Sequence, residues 1–110
     1  FAEANYERIL KNYISKINHV HCKDIRKEVF INSINKDLSF RNSFLDGVFT
    51  VPGDGCIDYS PLVKLLNDSK YEDWLIIEAE QDPLKANPLE YAKIGHNYLT
   101  KIVSENGYSL

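Results

Sequence analysis

The chain reads as an α/β fold with parallel strands. Two observations predict it. Helical and strand-like segments alternate in the order helix, strand, short helix, helix, strand, helix, the rhythm of parallel strands joined by right-handed crossovers. The second strand-like run, "DWLIIEAE", is almost unbroken in apolar residues, as expected of a strand covered on both faces.

Each element has its own signal. Residues 5–14, "NYERILKNYI", carry Tyr6, Leu10 and Tyr13 at helical spacing and read as the end of a helix. Residues 16–23 read as a strand, and residues 24–36 as a long polar connection. "LSFRNSFLDG" predicts a short helix with Phe40, Phe44 and Val48 on one stripe and Gly47 near its end. Pro52, Gly53, Asp54 and Gly55 predict a turn. Ser60 followed by Pro61 predicts a helix start, with the Ser60 hydroxyl as cap and proline in the first turn. Asn87, Pro88 and Glu90 open the last helix, whose predicted inner stripe is Tyr91, Gly95, Tyr98, Leu99 and Ile102.

Composition bounds the function. The 110 residues are 44% hydrophobic and carry a net charge of −3, with both signs mixed along the chain. Such a balance argues against nucleic acid and against an anionic membrane as partners. No apolar run reaches the roughly 18 residues of a membrane span, and there is no charged leader before an apolar core. A cytoplasmic location is expected. Cys22 and Cys56 lack the close spacing of a cysteine zinc site and are expected to be free thiols, with Cys22 packed against a helix. The chain is expected to form a single segment, 1–110, without separate domains. Two parallel strands do not make a credible isolated sheet. The chain is therefore expected to belong to a larger assembly, by self-association or by pairing with the rest of its fold.

Strand alternation places Ile17, His19, His21 and Lys23 on one face and Asn18, Val20 and Cys22 on the other. In the second strand Trp74, Ile76, Glu78 and Glu80 oppose Leu75, Ile77 and Ala79. The polar groups of both strands gather at the C-terminal ends, where ligands bind in α/β folds. His21 and Glu78 then share one surface, and an imidazole with a carboxylate suits a divalent metal. The plainer readings stand beside this one. A single surface His or Glu is more often hydrogen-bonded than metal-bound, "GDG" alone is only a turn, "EAEQD" alone is a solvated strand exit, and Tyr91, Tyr98 and Leu99 read as core. The residues by themselves stop at an α/β fold with a candidate metal pair.

"HVHCKDIR", "SFLDGVFTVPGDGCIDYSP" and "WLIIEAEQDPLKANPLEYAKIGHNYL" closely resemble the C-terminal part of the inosose dehydratase family, within the xylose-isomerase-like TIM barrels. The resemblance runs from about residue 5 to 100. "GVFTVPGDG" and "EAEQDP" are its specific segments, while the His-x-Lys-Asp signal is shared more widely. It implies the C-terminal portion, about two βα units, of a (β/α)8 barrel, with the seventh and eighth strands here and the rest of the roughly 250 residues elsewhere. In the family a Glu, Asp, His and Glu set holds one divalent metal at the barrel mouth. By resemblance His21 and Glu78 match its last two members, Lys23 enters the substrate pocket, and Arg26 falls near a substrate-binding arginine. His19 is implied either beside the ligands or in the barrel core. The first Glu and Asp have no counterpart here.

The activity implied is metal-dependent dehydration of 2-keto-myo-inositol (inosose) to a trihydroxycyclohexanedione in inositol catabolism, a carbon–oxygen lyase reaction on a small cyclitol or sugar. Manganese or cobalt is the implied metal, and glutathione is associated with the activity, though it falls on no residue of this chain. Removing the proton beside a ketone builds negative charge on oxygen, which a divalent cation stabilises while a β-hydroxyl leaves. Two alternatives stay open: a sugar isomerase or epimerase of the same superfamily, and a non-catalytic fragment that folds only by association. An endonuclease-like reading lacks a basic surface and further metal-binding histidines.

Overall fold

A computed structural model describes residues 4–109 of the chain. Helix α1 (Tyr6–Tyr13) runs into a single 3-10 turn at Ile14–Lys16 and leads to strand β1 (Val20–Cys22). Strand β2 (Asp24–Ile25), helix α2 (Lys27–Asn35), helix α3 (Phe40–Leu45) and strand β3 (Phe49–Thr50) follow. Helix α4 (Ser60–Asp68), strand β4 (Leu75–Ile77) and helix α5 (Pro88–Glu105) complete the order.

Strands β1 and β4 pair in parallel, with Val20 opposite Leu75, His21 opposite Ile76 and Cys22 opposite Ile77. The expected parallel pair is thus present, although each strand is shorter than its apolar run. The alternation is as expected too. Val20, Cys22, Leu75 and Ile77 turn toward the helices and join two apolar clusters. Leu10, Leu66 and Tyr71 build one, and Cys22, Tyr59 and Leu99 build the other. Both cysteines are free, Cys22 buried and Cys56 exposed. Burial pushes the Cys22 thiol up to about 12.

The region 24–36 differs from the expected polar connection. Asp24–Ile25 pair antiparallel with Phe49–Thr50, and Lys27–Asn35 form a helix. The helix lacks an amphipathic signal because its apolar residues are not gathered inward: Ile31 and Ile34 are exposed, and the buried residue is Ser33, whose hydroxyl donates to the Val29 carbonyl at 2.9 Å. The stripe assigned to α3 also fails at Phe40, which is exposed, while Ser43 is buried instead. In α1 only Leu10 of the expected stripe is buried, Tyr6 and Tyr13 being exposed.

The caps follow local chemistry. Ser39 Oγ accepts from the Asn42 amide at the start of α3, and Gly47, with φ of +83°, ends it. At α4 the expected capping hydroxyl is not used. Asp58 Oδ1 accepts from the Ser60 amide at 2.9 Å, while Ser60 Oγ accepts from Asn106 Nδ2. A carboxylate is the stronger acceptor beside free helical amides. Asn87 caps α5 as expected, accepting from the Leu89 and Glu90 amides. Gly95, Leu99 and Val103 form its buried stripe, with Tyr91, Tyr98 and Ile102 half-buried at its border. A Cβ on Gly95 would lie 2.9 Å from Ile77 Cγ2, so glycine there sets how closely α5 approaches β4. Among the described residues no helix is long and apolar enough to cross a membrane.

Candidate functional site

The sheet has one face covered by helices and one that is not. On the second face the polar residues of the two strand ends meet. His21 Nδ1 lies 2.6 Å from Glu78 Oε2. Parallel register brings this about: the Glu78 amide donates to the Cys22 carbonyl at 3.1 Å, which places Glu78 just past the end of β4 and on the side of His21. Lys23 Nζ sits 3.1 Å from Glu78 Oε1 and 3.4 Å from Glu80 Oε1, and 5.3 Å from the centre of the buried Phe49 ring. His19 is exposed, its ring centre 5.8 Å from that of His21.

Glu78 is the electrostatic centre of this group. The hydrogen bond from His21, then the hydrogen bond and positive charge of Lys23, hold its carboxyl below the usual carboxylate range. Glu78 therefore stays an anion in mildly acidic solution, in the state required of a metal ligand. The donor set fits a divalent ion in kind, with one imidazole nitrogen and a carboxylate on neighbouring strands. It is incomplete in number: among the described residues no group of three or more His, Cys, Asp or Glu is gathered. A divalent ion held there would need further ligands from outside these strands.

Arg26 lies in a different setting from Lys23. Its terminal nitrogens donate to the Gly47 carbonyl at 2.7 Å, the Phe49 carbonyl at 3.3 Å, Thr50 Oγ1 at 3.0 Å, Asp54 Oδ2 at 2.7 Å and Tyr91 Oη at 3.3 Å. Five protein acceptors thus share its guanidinium, which ties the 47–54 loop to the start of α5. Beside it a cleft of about 290 Å³ is lined in part by Gln81, Asp82, Lys85 and Tyr91.

Asp24 is not among the site residues the sequence marks. It is fully buried, and its Oδ1 accepts from the amides of Ile25 (2.7 Å), Cys56 (2.9 Å) and Ile57 (3.0 Å). Its Oδ2 is buried with no hydrogen-bond partner among the described residues. An orphaned buried oxygen costs about 1–3 kcal/mol. Gly55 packs directly against this carboxylate, where a Cβ would lie 2.2 Å from Oδ1.

Comparisons with known proteins agree with this architecture. The family model described as xylose isomerase-like TIM barrel matches residues 1–102. The chain is similar to proteins named inosose dehydratase. It is 50% identical over 104 residues to one from Clostridium botulinum (strain Eklund 17B / Type B), covering 94% of this chain and 35% of that protein. It is 44% identical over 105 residues to one from Lactiplantibacillus plantarum, covering 96% of this chain and 35% of that protein. It is 47% identical over 98 residues to one from Bacillus velezensis, covering 89% and 33%. The chain therefore spans about a third of the length of these curated relatives.

Proposed function

This chain belongs to the xylose isomerase-like TIM barrel family, and from that premise we propose that it forms the C-terminal part of a barrel that dehydrates 2-keto-myo-inositol. The observation that carries this reading is the 2.6 Å approach of His21 to Glu78 across adjacent parallel strands. An imidazole and an ionised carboxylate side by side on the open face of the sheet would supply half of a divalent-metal site. A manganese or cobalt ion held there supplies Lewis-acid stabilisation of negative charge on a ketone oxygen.

The chain's own residues do the rest that falls to this segment. His21 and Glu78 would hold the ion. Lys23, flanked by Glu78 and Glu80, presents an ammonium group for hydrogen bonds to substrate hydroxyls or to oxygen that gains charge as the neighbouring proton leaves. Arg26 orders the 47–54 loop beside the site. The general base and the remaining ligands belong to the preceding strands of the barrel, which also cover the open face. Trp74, 74% exposed, marks the surface those strands would bury. The same reading places the protein in the cytoplasm, where free thiols persist.

The test is a chimera in which this chain replaces the corresponding segment of the Clostridium botulinum dehydratase. Calorimetric titration with manganese is expected to show one site. His21→Ala and Glu78→Gln are each expected to weaken it by about 100-fold or more, since even partners outside the ligand set change affinity 10–100-fold. Unchanged affinity in both variants would refute the assignment.

A further inference from the structure

Lys23 stands where the chain changes partners, between β1, paired with β4, and β2, paired with β3. Its side chain points to the open face. Asp24, the next residue, points to the opposite, buried side. Besides the pairing of β1 with β4 and of β2 with β3, the backbone at this junction is held by residues 55–59. The Asp24 carboxylate takes the amides of Cys56 and Ile57, the Ile25 carbonyl accepts from the Cys56 amide at 3.0 Å, and the Tyr59 hydroxyl donates to the Lys23 carbonyl at 2.8 Å. Gly55 leaves no room for the carboxylate to move toward the loop.

We propose that Asp24 is a positioning residue for Lys23: its buried carboxylate locks the 55–57 loop against the β1–β2 junction and so aims the Lys23 ammonium at Glu78 and Glu80. This deepens the proposed function, because it rests on Lys23 being the group that meets substrate. A carboxylate is needed rather than an amide. An ionised oxygen binds several amides at once far more firmly than a neutral one, and the second oxygen, with no partner of its own, adds charge but no competing contact.

The test reads Lys23 directly. In the chimera labelled with ¹⁵N-lysine, an ammonium held by two carboxylates is expected to give a ¹H–¹⁵N signal distinct from those of exposed lysines, identified by its loss in Lys23→Met. Asp24→Asn keeps the shape. It is expected to speed amide exchange at Cys56 and Ile57 by about tenfold, from the loss of charge-assisted bonds. It is also expected to move the Lys23 signal toward that of the exposed lysines. Gly55→Ala, which displaces the same carboxylate by another route, is expected to do likewise. Val63→Ala, in the buried face of α4, lowers stability but is expected to leave the signal in place.

Three results would overturn the proposal: a parent chimera without a distinct Lys23 signal, an Asp24→Asn chimera with faster amide exchange and an unmoved signal, or a Val63→Ala chimera that moves it equally. Failure of the catalytic reading shows elsewhere, as a Lys23→Met chimera that keeps its turnover.

Discussion

Replacing Gly55 by alanine is the sharpest perturbation this chain offers. The backbone at Gly55 is not in the left-handed region, so the residue is there for space and not for conformation. An added Cβ would meet Asp24 Oδ1 at 2.2 Å, Asp24 Cγ at 2.3 Å and the Ile25 carbonyl oxygen at 2.7 Å. To reach the 3.0 Å that real Cβ contacts respect, the loop and the carboxylate must separate by most of an ångström. The bonds from Cys56 at 2.9 Å and Ile57 at 3.0 Å then pass out of hydrogen-bonding range. Each is charge-assisted and contributes about 1.5–3 kcal/mol, so the variant is expected to lose about 3–6 kcal/mol. A domain of this size has about 5–15 kcal/mol in all. Gly47→Ala is the control. Gly47 has φ of +83° but its nearest neighbour is Arg26 Nη1 at 3.5 Å, so only backbone strain of about 1 kcal/mol is expected. Urea unfolding of the chimera and of both variants made in it, with midpoints compared at equal slope, gives the two values. A Gly55→Ala cost no larger than that of Gly47→Ala would refute the reasoning.

Other outcomes follow from the same contacts. Arg26→Ala removes the cation from Asp54, leaving it the Thr50 hydroxyl, and is expected to cost about 2–4 kcal/mol in urea unfolding. Alkaline solution should destabilise the fold: burial raises the Cys22 thiol to about 12 from 9.0, and burial also raises the Tyr59 phenol, so the stability these groups give is complete below pH 9 and is lost as pH climbs toward 12, which unfolding midpoints across that range will show. A thiol reagent is expected to label exposed Cys56 in the native chain and Cys22 only in denaturant, checked by mass spectrometry. His21→Ala in the chimera is expected to shift the thermal midpoint little, because the side chain is 54% exposed, while removing metal-dependent turnover.

What was legible in advance was what simple periodicities encode. Alternation at residues 19–23 and 74–80 placed His21 and Glu78 on one side of the sheet, and parallel pairing brought them together. Helix α2 was illegible because Ile31 and Ile34 face solvent and a serine faces inward, the reverse of an amphipathic pattern. The role of Asp24 was hidden because its partners, Cys56 and Ile57, are more than thirty residues away and contribute only backbone amides, which every residue carries. Arg26 was visible as a charge near the site. Its five acceptors, three of them side-chain oxygens at Thr50, Asp54 and Tyr91, come together only through the folded loop.

The measurement that bears most directly on the account is the product formed from 2-keto-myo-inositol by the manganese-loaded chimera, followed by mass spectrometry. The account predicts loss of one water from the cyclitol, and no such loss from the His21→Ala chimera. A folded, metal-loaded chimera that isomerises the substrate without losing water, or a His21→Ala chimera that dehydrates it as fast as the parent, would contradict it.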